Sequence, residues 1–155
     1  MIDIKNTPAC AFSGHRNLRK YDFEYSELHE AIYDLLQAGI RRFYCGMAQG
    51  FDLEAAECLL SFKGQFDFEL TAVIPCANQS DTFSRENKGR YKKILGACSD
   101  EIVLNDRYFQ GCMLQRNRYM VDSSEVLLCF LRERSGGTFY TYNYAKKLKR
   151  IVIEL

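Results

Sequence analysis

Two glycine-rich turns of this 155-residue chain hold residue types that are well suited to binding phosphate groups. The first turn carries Gly46, Gln49, Gly50 and Asp52. The second turn carries Ser135, Gly136, Gly137 and Thr138. Each turn follows an apolar run and precedes a helical pattern, so unpaired backbone N–H groups and the positive end of a helix dipole face one point. A phosphate suits that point, and two such turns in one small protein predict a nucleotide-like ligand without indicating whether it reacts.

The two turns differ in the part of a ligand that each would contact. The adjacent glycines Gly136 and Gly137, flanked by hydroxyl side chains, favour an anion-binding nest of backbone N–H groups. The first turn matches neither the Gly-x-Gly-x-x-Gly dinucleotide fingerprint nor a P-loop. Because a carboxylate would repel a phosphate beside it, we expect Asp52 to accept hydrogen bonds from ribose hydroxyls. The alternative is a plain acid at a helix start, which the helix dipole stabilises.

Polar residues at two further places complete the candidate site. The segment after the first apolar run contributes Ser13, Gly14, His15 and Arg16. Gly14 would allow close backbone approach, while Ser13 and Arg16 have side chains that hydrogen-bond phosphate or ribose; a surface turn has the same composition. Arg116 and Asn117 lie near the start of a later helical pattern, where solvent-facing arginines are also common.

Apolar strand-like runs alternate with helical patterns along the whole chain. Strands are predicted at 9–13, 42–45, 68–74, 101–104, 126–131 and 151–154. Helices are predicted near 26–38, 52–62, 84–97, 113–121 and 138–148. Regular alternation with short connections predicts the α/β class, with a Rossmann-like, doubly wound parallel sheet in three α/β/α layers. A strand order of 3-2-1-4-5-6 would bring the ends of strands 2, 1, 4 and 5 together, where such folds bind ligands.

Length and composition indicate a single domain over residues 1–155 and exclude several classes of protein. Hydrophobic residues make up 47% of the chain, which is too many for disorder. No apolar run approaches the roughly 20 residues of a membrane span, and no signal peptide is visible, so we expect a cytoplasmic protein. The net charge of +1 argues against nucleic acid as a partner.

The seven cysteines are expected to be free thiols in a reducing compartment. Their number is odd, no Cys-x-x-Cys occurs, and His15 and His29 are the only histidines. Zinc sites normally show closely spaced pairs of ligands, so we expect no metal.

Taken in order, five motifs resemble the YpsA family of the SLOG superfamily. They are Ser-Gly-His-Arg, Gly-x-Ala-x-Gly-x-Asp, Arg-Tyr-x-x-Ile-Leu, Gln-Arg-Asn-x-x-Met and Gly-Gly-Thr-x-Tyr-Thr. The similarity runs over residues 10–153. The superfamily also contains the Lonely Guy phosphoribohydrolases and DNA-processing protein A. The resemblance implies a Rossmann-like fold with a nucleotide-derived ligand.

The Lonely Guy comparison assigns two positions of this chain. Its Met-His-x-Arg-Lys-x-x-Met segment is similar to residues 113–120 and places the catalytic arginine at Arg116. Its glycine-rich segment is similar to residues 135–141, where the catalytic glutamate position falls on Thr141. A hydroxyl cannot supply the negative charge that stabilises an oxocarbenium-like centre, so the resemblance carries over binding better than hydrolysis.

We therefore expect a sensor that binds NAD, ADP-ribose or a mononucleotide. Phosphates would rest on Gly14, Gly136, Gly137 and Thr138, with Arg16 and Arg116 adding positive charge. Asp52 and Asn117 would contact ribose or base, and Thr141 completes the ligand-binding set. Two alternatives stay open: an N-glycosidic hydrolase with Arg116 and Asp52 as catalytic candidates, and a single-stranded nucleic-acid binder. No membrane partner is expected, and a homo-oligomer is compatible with the sequence.

Overall fold

The computed structural model describes residues 3–155, which form one six-stranded parallel sheet with helices on both faces. The strands are β1 Ala9–Gly14, β2 Arg42–Cys45, β3 Glu69–Ile74, β4 Asp100–Val103, β5 Val126–Phe130 and β6 Ile151–Glu154. The helices are α1 Tyr25–Gln37, α2 Phe51–Leu60, α3 Arg85–Ala97, α4 Cys112–Asp122 and α5 Gly136–Lys147. Every predicted strand and helix is present, with ends shifted by at most two residues, and the predicted α/β Rossmann-like fold is confirmed. Three short 3-10 helices, Ile4–Asn6, Leu18–Lys20 and Gln79–Thr82, were not predicted.

The predicted strand order was wrong in one respect, the place of β4. The order is β4-β3-β2-β1-β5-β6, so β4 pairs with β3 at the sheet edge and β5 lies beside β1. The reason lies in the two strand sequences. Asp100 and Glu101 leave β4 largely exposed, which an edge strand tolerates, whereas the wholly apolar β5 is buried along its length and needs a neighbour on each side. The reversal of strand order, where ligands bind in such sheets, therefore falls between β1 and β5.

Each sheet face has its own hydrophobic core. Helices α1, α2 and α3 cover one face, where Phe12 and Phe43 are fully buried. Helices α4 and α5 cover the other face, where Met120 packs with Leu127 and Ala145. Helix α2 lies on one face of the sheet, and α4 and α5 lie on the other. The three helices therefore do not compete for the same space, and all of them can begin near the end of β1.

Other general expectations concern membranes, metals and thiols. Within residues 3–155 no helix is long and apolar enough to cross a membrane. The same part of the chain holds no group of three histidine, cysteine or acidic side chains placed to bind a metal ion. All seven cysteines are free thiols, and Cys45, Cys76 and Cys129 are buried among core residues.

Candidate functional site

A cavity of about 300 Å³ opens at the end of β1, where β1 and β5 are neighbours. Eleven of the fifteen predicted ligand-binding residues line it: Ser13, Gly14, His15, Arg16, Asp52, Arg116, Asn117, Ser135, Gly136, Gly137 and Thr138. Four further lining residues were not predicted: Ala48, Met113, Leu114 and Glu133. The fold thus brings four separate segments of the chain to one place.

Arg116 is the buried cation of this cavity, with only 3% of its surface exposed. Its Nε donates a hydrogen bond to Asn117 Oδ1 at 2.8 Å, and its Nη1 donates to the backbone carbonyl of Gly46. A longer contact of 3.5 Å joins Nη1 to the Val73 carbonyl. Nη2 contacts only the sulfur of Met113, at 3.7 Å, among its described neighbours. Burial lowers the pKa of Arg116 while Asp52 opposes that shift, and Nη2 keeps donor capacity for an anionic ligand.

Asp52 is the buried carboxylate of the cavity, 5% exposed, and lies in the first turn of α2. Its Oδ2 accepts a hydrogen bond from the Ala48 N–H at 3.2 Å. The four salt bridges found within residues 3–155 do not include it. Burial raises its pKa to about 6, although Arg116, the Ala48 N–H and Arg16 favour the ionised form. The carboxylate can therefore accept a hydroxyl hydrogen bond and exchange a proton near neutral pH.

The start of α5 presents free backbone N–H groups to the cavity. Ser135, Gly136 and Gly137 are exposed there, and Thr138 is buried. Gly136 has φ of +84°, a backbone conformation that favours glycine. A twelve-residue helix that begins with two glycines leaves its first N–H groups and its positive dipole end accessible, which suits an anion.

Thr141 does not line the cavity, but it holds the cavity wall together. Its side chain is buried, and its hydroxyl donates to the Gly137 carbonyl at 2.8 Å. The same hydroxyl accepts a hydrogen bond from Asn117 Nδ2 at 2.9 Å. Since Asn117 in turn accepts from Arg116, a continuous chain of hydrogen bonds joins the start of α5 to the buried guanidinium.

The three other predicted residues outside the cavity have structural contacts as well. Gln49 turns toward α3, where its Oε1 accepts a hydrogen bond from Asn87 Nδ2 at 2.8 Å. Gly50 has φ of +84°, and a Cβ there would lie 2.1 Å from the Arg16 carbonyl oxygen. Gly46 lies behind the cavity, where a Cβ would lie 2.6 Å from the guanidinium of Arg116. These glycines permit close packing around the cavity.

Gly14 lines the cavity, but its lack of a side chain serves packing. A Cβ at Gly14 would lie 2.4 Å from the ring of Phe51. The expected close approach of backbone therefore occurs between β1 and the first residue of α2, and the Phe51 N–H donates to the His15 carbonyl at 3.1 Å. This contact fixes the end of β1 against the helix that carries Asp52.

His15 contacts the loop that leads to α5. Its Nε2 accepts hydrogen bonds from the N–H groups of Arg132 at 2.8 Å and Glu133 at 3.3 Å. The imidazole lies against Tyr21, with ring centroids 4.8 Å apart, and burial lowers its pKa. This role could not be predicted from the sequence, because the histidine and its partners are more than a hundred residues apart.

Glu133 is a lining residue that sequence reasoning missed. It lies two residues before the Ser-Gly-Gly-Thr motif, in the charged run Arg132-Glu133-Arg134, which is the one local signal that indicates it. Its carboxylate accepts hydrogen bonds from Lys20 Nζ at 2.9 Å and the Tyr21 hydroxyl at 2.6 Å. These donors lower its pKa and hold the negative charge at the cavity rim.

Solved structures with the same fold include two groups of proteins. DNA processing protein A from Helicobacter pylori, solved in its single-stranded DNA binding mode, superimposes with a TM-score of 0.71 at 19% identity, covering 97% of this chain. This chain spans 66% of the length of that protein. The molybdenum cofactor carrier protein of Chlamydomonas reinhardtii gives a TM-score of 0.61 at 16% identity, over 96% of this chain and 76% of the carrier. At such identities the likeness concerns the fold alone.

Sequence comparison gives a nearer relative and the family. The uncharacterized SPbeta prophage-derived protein YoqJ of Bacillus subtilis (strain 168) is 29% identical over 119 residues, which cover 68% of this chain and 70% of YoqJ. The sequence model of the YpsA family (YspA SLOG family) matches residues 12–152. Since that match takes in both glycine-rich turns and runs from the end of β1 into β6, this chain belongs to the YpsA family of SLOG proteins.

Proposed function

We propose that the cavity binds a nucleotide or a nucleotide-derived ligand of the NAD, ADP-ribose or mononucleotide type. The observation that carries the proposal is the meeting of two buried charges, Arg116 and Asp52, with the open start of α5. A phosphate fits the N–H groups of Gly136, Gly137 and Thr138, with Arg116 supplying positive charge. Asp52, which takes part in none of the salt bridges within residues 3–155, then accepts hydrogen bonds from ribose hydroxyls.

The size of the cavity supports the proposal, because the cavity can enclose one nucleotide unit of the ligand. Its volume of about 300 Å³ lies at the lower end of the roughly 300–1,000 Å³ that ligand pockets span. A ribose phosphate with part of its base fills such a space, and the second half of a dinucleotide would extend into solvent past Glu133. We propose a sensor in the cytoplasm, a compartment that suits seven free thiols.

A second candidate function, cleavage of an N-glycosidic bond, rests on one specific observation. Asp52 is a carboxylate in the cavity with its pKa raised to about 6, as groups that exchange protons during catalysis often are. It is the acid best placed to replace the glutamate that Lonely Guy enzymes have where this chain has Thr141. The binding proposal ranks first because the Thr141 hydroxyl is occupied by Asn117 and Gly137.

A third candidate ligand is single-stranded nucleic acid. DNA processing protein A from Helicobacter pylori, which has the same fold, binds single-stranded DNA. The expectation, drawn from net charge, that argues against nucleic acid as a partner gains no support from that relative. The net charge of +1 still favours a small ligand over a polyanion.

A thermal-shift screen with NAD, ADP-ribose, AMP, ATP and GMP tests the binding proposal. A ligand that binds only the folded state at roughly a hundred times its dissociation constant stabilises it by about 2.7 kcal/mol, which is a rise of several degrees for a domain of this size. The Arg116→Gln variant should lose that rise, measured from its own unliganded melting temperature. Arg118→Gln, on the same helix but outside the cavity lining, is the matched control and should keep it.

The same proteins separate the three candidates. No shift with any of these ligands at millimolar concentration would refute the binding proposal. Release of free base from AMP by wild type, lost in Asp52→Asn, would establish the hydrolase instead. Retention of a single-stranded oligonucleotide that weakens steeply with salt would establish the nucleic-acid binder.

A further inference from the structure

The loop at residues 131–135 joins β5 to the proposed phosphate site, so its conformation decides where the start of α5 points. His15 Nε2 accepts the N–H of Arg132 at 2.8 Å and that of Glu133 at 3.3 Å. Both donors precede Ser135 by two or three residues. A histidine nitrogen that accepts two N–H groups carries no proton itself, so the neutral ring holds its proton on Nδ1.

Aromatic rings fix the imidazole in this position. The ring centroid of Tyr21 lies 4.8 Å from that of His15, and the centroid of Phe130 lies 6.0 Å from it in an edge-on arrangement. The His15 backbone carbonyl also accepts the Phe51 N–H at 3.1 Å, at the start of the helix that carries Asp52. One residue therefore connects the end of β1, the start of α2 and the loop before α5.

We propose that His15 is the positioning residue of the ligand site, and that protonation of its imidazole releases the loop at residues 131–135 and weakens ligand binding. This inference rests on the proposed function. Once Nε2 is protonated it becomes a hydrogen-bond donor. The two backbone N–H groups that face it are also donors, so they can no longer hydrogen-bond to it. The loop then loses both contacts, and the phosphate-binding N–H groups of α5 lose their fixed place.

Every charged group that faces His15 has a defined effect on its protonation. Burial disfavours the imidazolium and lowers the pKa of His15, and the positive charges of Arg132 and Lys20 act in the same direction. Glu133 favours the imidazolium but is held by Lys20 and Tyr21. Arg132 is itself paired with Asp22 at 2.6 Å. The ring is therefore neutral at pH 7, and the site changes state below about pH 6.5.

Binding of ADP-ribose at about pH 8 and about pH 5.5 tests the inference, because its pyrophosphate stays fully ionised across the range in which histidine titrates. Wild type should lose affinity at the lower pH beyond any loss due to Asp52, by less than about tenfold because burial lowers the pKa of His15 from its ordinary value of about 6.5. His15→Gln, whose Oε1 can replace Nε2 as acceptor, should restore binding and remove that additional loss. His15→Ala should bind roughly tenfold more weakly than wild type at both values. His29→Gln, at the other histidine, which is exposed on α1, is the matched control and should follow wild type.

NMR titration of the isotope-labelled protein without ligand follows the backbone amides and the imidazole directly. The Arg132 and Glu133 amide signals should shift with the same midpoint as the His15 ring, and should not titrate with that midpoint in His15→Gln. If wild type and His15→Gln lose affinity equally with falling pH, or if His15→Ala binds as wild type does, the inference is overturned. If wild type binds none of NAD, ADP-ribose, AMP, ATP and GMP at about pH 8, the proposed function fails. Matching amide and imidazole midpoints then still support the positioning role, and amides that do not follow the ring overturn it.

Discussion

Replacing Gly46 by alanine tests whether the position of Arg116 determines ligand binding. The added Cβ would lie 2.6 Å from both Cζ and Nη1 of Arg116, where ordinary contacts begin at 3.4 Å. Gly46 is not among the glycines with positive φ, so the backbone accepts alanine without strain. The guanidinium must therefore move away from the Gly46 carbonyl and into the cavity.

The expected loss follows from the contacts that this movement breaks. Arg116 donates to the carbonyl of Gly46 and to Asn117 Oδ1, and each hydrogen bond to a charged group contributes about 1.5–3 kcal/mol. Water in the cavity replaces part of that interaction, so we expect unfolding free energy to fall by about 2 kcal/mol. For a domain of this length the melting temperature would fall by about 4–8 °C. Ligand affinity should fall at least tenfold, because the displaced guanidinium occupies phosphate space.

Urea unfolding and isothermal titration with the ligand identified by the thermal-shift screen measure the two effects. Gly89→Ala is the matched control, since a Cβ at that position in α3 meets nothing within 4 Å. Alanine there should leave binding unchanged and raise stability by up to about 1 kcal/mol through helix propensity. Wild-type affinity and wild-type stability in Gly46→Ala would refute the role assigned to Arg116.

Four further substitutions have distinct expected outcomes. Gly137→Asp should abolish phosphate binding at an unchanged melting temperature, whereas the same change at Gly136 would add strain because φ is +84° there; titration of both variants checks this. Asp52→Asn should weaken ribose binding yet raise stability above about pH 6 by about 3 kcal/mol, because the raised pKa of Asp52 makes wild-type stability fall as pH rises from 3.8 to about 6. Urea titrations at several pH values measure the change. Thr141→Val should reduce stability by about 1–3 kcal/mol in the same assay by leaving Asn117 Nδ2 unpaired.

The elements of the fold could be predicted from apolar periodicity, but the lateral order of the strands could not. Periodicity reports which faces of a strand are buried and is silent about which strand lies beside it. The acids Asp100 and Glu101 indicate an edge strand, but they do not indicate which strand lies beside it.

The cavity lining was largely predictable because strand ends and helix starts meet at one edge of a parallel sheet. What the sequence did not reveal was which polar residues point into the cavity and which brace it. Thr141 and Gln49 carry the same groups as ligand-binding residues, yet their partners are Asn117 and Asn87. Such pairings depend on tertiary distances between segments that are far apart along the chain.

The way in which Arg116 is held also determines how the site responds to random mutation. Two of its acceptors are main-chain carbonyls, those of Gly46 and Val73, and a substitution at Val73 leaves the carbonyl oxygen in place. Only the side chain of Asn117 among its oxygen acceptors can be deleted by changing one codon. Changing the Val73 side chain therefore removes no acceptor of Arg116, whereas changing Arg116 itself removes the cation. The position of the cation therefore depends on the main chain of β3 and of the turn after β2 more than on the surrounding side chains.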